Sequence, residues 1–153
     1  MTVHPTAVVE DGAVLGAGIA IGPFCHVGPR AVLEDGVRLR SHVSVTGITR
    51  IGKGCDLYPG VALGGDGQIR NNSFTEGRLE IGPDCVLRES VVAERARIGE
   101  SSELGPGTLV GAAATVGTGA VVGEGARIDP GARVEDGARV PAGQWIEPGE
   151  RVG

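Results

Sequence analysis

A large aliphatic residue returns at every sixth position: Val3, Val9, Leu15, Ile21, Val27, Leu33, Leu39, Val45, Ile51, Leu57 and Leu63. The same frame resumes at Ile81 and Leu87, then runs again from Ile98 through Leu104, Val110 and Val116 to Val152. A fixed internal period is the mark of stacked, equivalent units. Six residues fit neither the 3.6 of a helix nor a long two-residue alternation. They fit a very short strand followed by a corner. Three such units close a triangular coil of eighteen residues, whose strands pair in parallel with the coils on either side, roughly 4.8 Å apart. The aliphatics then line up as interior columns, and each coil contacts only its neighbours. The expected architecture is all-β, a parallel β-helix in which residues 1–153 form one domain.

Other positions keep the same phase. Two residues before the aliphatic the side chain is usually small, as at Ala7, Ala13, Cys25, Ala96 and Ala114, and fits inside a tight bend. The residue after it is often Gly, as at Gly16, Gly22, Gly52 and Gly99, and is expected to relax the backbone there. The 28 Gly and 9 Pro would also suit a disordered chain. Disordered segments lack aliphatics in strict phase and are poorer in apolar residues than the 41% found here, so order is expected.

The phase fails twice. From Gly64 to Arg78 it meets Gly67, Asn71, Asn72, Ser73 and Gly77, a polar stretch that reads as a loop thrown out from the coil. Loops on rigid scaffolds are where function concentrates. Between Leu87 and Ile98 the spacing is eleven rather than twelve, so one corner is a residue short or Val92 takes the inward place of Ala93. Both ends of such a stack expose strand edges. Pro5, Pro141 and Pro148 are expected to blunt them, with Trp145 as a lid on the last rung.

A formal net charge of −5 with mixed signs argues against a nucleic-acid surface. No signal peptide and no apolar run long enough to span a bilayer is visible. Cys25, Cys55 and Cys85 all occupy the small corner position, as buried apolar residues. Their spacing of thirty is expected to put each on a different side of an eighteen-residue coil, which disfavours internal disulfides and points to a reducing, cytoplasmic location. Gly47-Ile-Thr-Arg-Ile-Gly52-Lys53-Gly54 imitates a P-loop, but Gly54 replaces the magnesium-binding hydroxyl and the six-residue period leaves no room for a helix.

Certain stretches are specific beyond the repeat: His4-Pro5-Thr6-Ala7, Ser41-His42-Val43, Leu57-Tyr58-Pro59, Gly64-Gly65-Asp66-x-Gln68, Arg78-Leu79-Glu80-Ile81-Gly82 and Arg88-Glu89-Ser90-Val91. Over residues 3 to about 95 the chain resembles the hexapeptide-repeat, left-handed parallel β-helix proteins, and among them the UDP-N-acetylglucosamine O-acyltransferases of lipid A synthesis. The left hand is implied by that resemblance, since the general crossover rule favours the right. So is a cytoplasmic homotrimer with its site in the groove between subunits. The family moves a hydroxyacyl chain from acyl carrier protein to a hydroxyl of a UDP-amino sugar. A His acts as base beside an acidic residue, with no metal and no bound cofactor.

The chain departs from that pattern where the chemistry should be. The stretch Ala112-Ala113-Ala114-Thr115-Val116-Gly117 matches the family's catalytic run, so Ala112 stands where the base is expected, and no His follows His42. In the loop Gln68 is kept, but Ile69 and Asn71 replace an acidic residue and a Lys. Glu94 stands where the family often has His, beside a matching Arg95. The family also carries a helical C-terminal domain, whereas this sequence ends within its repeats. The candidate site residues are therefore His42 as a substitute base, with Asp66, Gln68, Arg88, Arg95 and His26 as contacts to a UDP-sugar and to acyl carrier protein or acyl-CoA. The alternatives are a catalytically silent trimeric scaffold or ligand binder, and a γ-carbonic-anhydrase-like metal protein. Zinc needs three converging protein ligands, and His4, His26 and His42 lack that spacing.

Overall fold

The computed structural model describes residues 1–64 and 78–153. Among them, twenty-four short strands, most of two residues, assemble into three eight-stranded parallel sheets. Successive strands enter successive sheets. The first sheet therefore stacks Thr2–Val3, Ala20–Ile21, Arg38–Leu39 and Asp56–Leu57. The second starts with Val8–Val9, His26–Val27 and Ser44–Val45, and the third with Val14–Leu15, Ala31–Leu33 and Ile48–Ile51. The coil is left-handed. The usual right-handed crossover reflects a helix packing back onto its own sheet. Here the connection runs through the other two sheets and, among the described residues, contains no helix.

The second residue of most strands points inward. Ile21, Val27, Leu33, Leu57, Leu104, Ile128 and Ile146 are buried, and together with their equivalents they form one core along the solenoid axis. Each such side chain contributes about 1.5–3 kcal/mol, and it does so only when coils lie both above and below it. The first coil shows the dependence: Val3 is 41% exposed and Val9 and Leu15 are half-buried, although all three keep the phase.

The glycines serve two purposes, and the sequence reading had one of them wrong. Gly22, which follows an aliphatic, is outside the left-handed backbone region. It is small because a methyl there would overlap the carbonyl oxygen of Arg40 in the next coil. The conformational freedom is used later in the corner, at residues such as Gly36 (φ 74°) and Gly107 (φ 71°). Among the described residues, seven corners place another residue in this region: Phe24, His42, Asp84, Glu89, Arg95, Ser101 and Ala113. Each costs on the order of 1 kcal/mol relative to Gly.

The described ends of the first break agree with an inserted segment. Ile51 pairs with Ile81 and Leu57 with Leu87, so this coil holds twelve more residues than its neighbours. Residues 65–77, and with them the expected extruded loop and its Asp66 and Gln68, lie outside the described residues. At the second break Val92 is buried and pairs with Leu63, and the shortened corner bends through Glu89 at φ 35°. The pseudo-P-loop is the strand Ile48–Ile51, with Thr49 buried and donating to the Thr46 carbonyl at 2.7 Å.

Two expectations fail. The long coil brings Cys55 and Cys85 to the same corner position in adjacent coils, because Asp56 pairs with Val86. Only Cys25 lies on another side, before His26; all three are free thiols. Trp145 is no lid. It takes the outward place before buried Ile146, is 59% exposed, and donates from Nε1 to Asp129 Oδ2 at 2.7 Å.

The shortened corner leaves the buried Ser90 hydroxyl without a hydrogen-bond partner, whereas buried Ser102 reaches the Gly99 and Gly117 carbonyls at 2.8 and 2.7 Å. We expect Ser90→Ala to be neutral or stabilising and Ser102→Ala to cost about 1 kcal/mol in urea unfolding. A loss in the first as large as in the second would contradict this account of the corner. Ala113→Gly should raise stability by about 1 kcal/mol, since it removes the left-handed strain without emptying the core.

Candidate functional site

Every candidate residue that the structure describes falls on one side of the prism. The first residues of the second sheet's strands form its outer row: Val8, His26, Ser44, Ala62, Val91, Leu109, Arg127 and Trp145. The corner entering this sheet carries His42 and Arg88, and the corner leaving it carries Arg95 and Ala112. The chain also leaves the second sheet at Gly64 before it re-enters the third at Arg78. The row is open and largely apolar, with Val8, Val91 and Leu109 exposed at 55%, 46% and 45%. The outer rows of the other sheets carry charge instead, such as Arg38, Asp56, Glu103 and Arg139 on the first and Arg50, Glu80, Arg97 and Arg133 on the third.

The two expected imidazoles have different surroundings. His26 stands on the sheet beside Ser44, as its register predicts, and its Nε2 lies 2.6 Å from Glu10 Oε1. A carboxylate at that nitrogen holds the ring in one orientation and leaves Nδ1 uncommitted to Glu10. His42 sits at the corner with φ 51°, its ring centroid 5.1 Å from that of Phe24. Among the described residues no carboxylate meets His42. Of the two, His26 is the one with a carboxylate partner among the described residues.

Arg88 lies over the Tyr58 ring at 5.1 Å, and Arg40 lies over the same ring at 4.9 Å. Arg40 also grips Asp56 with two hydrogen bonds of 2.7 and 2.6 Å, which hold the Asp56 carboxyl below the usual carboxylate range despite partial burial. Among the described residues, neither Arg88 nor Arg95 forms an ion pair.

On the far side of the row, a cleft of about 330 Å³ is lined by Val91, Glu94, Leu109, Ala112, Arg127 and Asp129. Asp129 is buried, and its oxygens accept from Trp145 Nε1 and, at 2.6 Å, from Arg127 Nε. The Trp145 and then the Arg127 hydrogen bonds lower its carboxyl. With both oxygens engaged, Asp129 anchors Arg127 and Trp145 and is a poor base. A larger groove of about 560 Å³ on the third sheet contains the Glu34–Arg50 pair but none of the candidate residues. Among the described residues no three His, Cys, Asp or Glu side chains converge to hold a metal.

Asp129 and Glu10 stand out in no motif, and Tyr58 only within Leu57-Tyr58-Pro59, although a spacing rule finds all three. Glu10–His26, Glu34–Arg50, Arg40–Asp56 and Asp129–Trp145 are all sixteen residues apart. In each, the residue just after one aliphatic meets the residue just before another, one coil on. Rings and guanidinia stack at eighteen, as in Phe24–His42, Arg40–Tyr58 and Arg127–Trp145.

Three stacked parallel sheets with hexapeptide corners define this chain as a left-handed parallel β-helix protein of the hexapeptide-repeat class. Its sequence is similar to acyl-(acyl-carrier-protein)–UDP-N-acetylglucosamine O-acyltransferase of Bartonella bacilliformis, with 37% identity over 93 residues. That match takes in 61% of this chain and 34% of the relative, so about a third of the relative's length is matched. No family model matches the chain. The fold is shared with UDP-N-acetylglucosamine acyltransferase from Arabidopsis, at a TM-score of 0.63 and 20% identity over 95% of this chain and 61% of that one. PerB from Caulobacter crescentus, solved with CoA and GDP-perosamine, has a TM-score of 0.54 at 23% identity over 92% of this chain and 50% of its own.

The Asp56–Arg40 pair yields a pH dependence. A carboxyl whose folded pKa is depressed adds stability above its unfolded value, near 4, and loses it as pH falls through the depressed one. Asp56→Asn should therefore cost about 1 kcal/mol near pH 7, with the gap to the parent closing as unfolding is measured at progressively lower pH below about 4. A gap independent of pH would assign the loss to packing.

Proposed function

We propose that the second-sheet face is the ligand-binding face of an acyltransferase-type protein that takes a nucleotide sugar as acceptor. The observation that carries the reading is the gathering of His26, His42, Arg88, Arg95 and the ends of the inserted segment onto one open, apolar face. The sequence similarity to UDP-N-acetylglucosamine O-acyltransferase supports it. In this reading the apolar row is covered by a neighbouring copy in a homotrimer, the groove between copies forms the pocket, and the location is cytoplasmic. Arg88, held against Tyr58, presents its remaining donors to a phosphate, the anion that a guanidinium fork suits best. Arg95, Asp66 and Gln68 contact the rest of the sugar nucleotide. Among the described residues, no helix is long and apolar enough to cross a membrane.

The base in this reading is His26. Glu10 accepts from Nε2–H, so Nδ1 carries the lone pair that takes the proton of the acceptor hydroxyl. The freed oxygen attacks the thioester carbonyl of an acyl carrier protein or acyl-CoA. The thiolate leaves and takes up a proton, while the acyl group ends on the sugar. Positioned general bases of this kind contribute roughly 10²–10⁴-fold.

A catalytically silent ligand binder is the second reading, favoured by Ala112 at the place where the resemblance puts the base. One experiment separates the two. UDP-N-acetylglucosamine should raise the melting temperature of the protein, and Arg88→Ala should reduce that rise. With hydroxyacyl carrier protein added, acyl transfer should appear and fall at least 100-fold in His26→Ala. A thermal shift without transfer establishes the silent binder; no shift with any nucleotide sugar overturns both.

A further inference from the structure

We propose that Cys55 and Cys85 form a dithiol site that closes to an intrachain disulfide by exchange with a small-molecule disulfide such as oxidised glutathione. The register makes the pair. Asp56 lies opposite Val86, so the cysteines just before them occupy the same inward corner place in adjacent coils. Parallel neighbours stand about 4.8 Å apart, within the roughly 4.4–6.8 Å between Cα atoms that a disulfide spans. Cys55 Sγ donates to the Gly82 carbonyl and Cys85 Sγ to the Gly99 carbonyl, each at 3.0 Å.

Sulfur is not what this corner needs for packing. The same place one coil further on is Ser102, which meets the Gly99 and Gly117 carbonyls just as the thiols meet theirs. Cys25, before a second-sheet strand, faces Val43 in the next coil and has no stacked thiol.

The hydrogen bond from Cys55 lowers the Cys85 thiol, and the same bond, together with burial, raises Cys55. Either thiol can attack first with the same product, and Cys85 serves as the example. Its thiolate attacks one sulfur of glutathione disulfide and releases a glutathione thiolate, which takes a proton from solvent. Cys55 then loses its proton and displaces the second glutathione from Cys85. Two protein thiols are oxidised to one disulfide, and one glutathione disulfide is reduced to two thiols. Both cysteines are buried, so exchange waits on opening of the Gly82–Cys85 corner and runs faster during refolding. The bond joins the two ends of the long coil, the one that carries residues 65–77.

The test uses the full chain, reduced and then incubated with oxidised glutathione, both native and during refolding from urea. The expected product has lost the mass of two hydrogens, yields a Cys55–Cys85 linked peptide on non-reducing digestion, and leaves Cys25 free. Its melting temperature rises by about 5–10 °C over the reduced form. Cys55→Ser and Cys85→Ser should melt like the reduced parent and show neither change. A persistent glutathione adduct without a linked peptide, a link through Cys25, or no reaction even during refolding would overturn the proposal.

Discussion

In-register parallel stacking of one coil on the next is the constraint from which the rest of the molecule follows. The residue after each aliphatic donates its N–H to a carbonyl one coil on, as Gly22 does to Leu39 at 2.8 Å and Gly99 to Val116 at 2.7 Å. That ladder fixes which side chains share a column. Aliphatics then close the core, small residues fill the bends, and glycines just after the aliphatics, such as Gly22 and Gly99, occur where the next coil's backbone comes too near for a Cβ. Because each coil contacts only its neighbours, a gain or loss of residues is absorbed locally. The long coil and the shortened corner both return to register within one turn.

The same ladder organises the surface. Two offsets, sixteen and eighteen, account for four polar pairs and the aromatic and cationic stacks, because both are fixed by coil length. Solvent-exposed pairs of this kind add little stability. What they supply is orientation: Glu10 sets the His26 ring, Asp56 holds Arg40 against Tyr58, and Asp129 fixes Arg127 beside Trp145. The apolar row between these corners distinguishes the second sheet from its charged neighbours. Among the described residues its outer row exposes Val8 and the adjacent Val91 and Leu109 with few charges.

Legibility followed the strength of the burial signal. The columns from Ile21 to Ile146 were readable because an inward position tolerates only apolar side chains of similar size, and Val92 at the eleven-residue break was readable for the same reason. Trp145 was misread because an aromatic near the end of a stack looks like a cap, while its phase, one before Ile146, already marked it as outward. The cysteines were misplaced because thirty residues were counted as one and two-thirds coils. They are a single enlarged coil, a fact that depends on where the inserted segment rejoins. The carboxylate beside His26 was not legible, because Glu10 reaches it only through the coil-to-coil stacking.

The sequence by itself determined the period, the inward set, the number of sheets and the two places where the coil changes length, since these rest on local spacing and on the cost of exposing aliphatics. The tertiary structure alone decided which coil lies against which residue. It stacked Cys55 on Cys85, gave His26 its carboxylate, left the Ser90 hydroxyl alone, and put the described candidates His26, His42, Arg88 and Arg95 on a single face. Those outcomes depend on register across an insertion and on side-chain reach between coils, which no local spacing encodes.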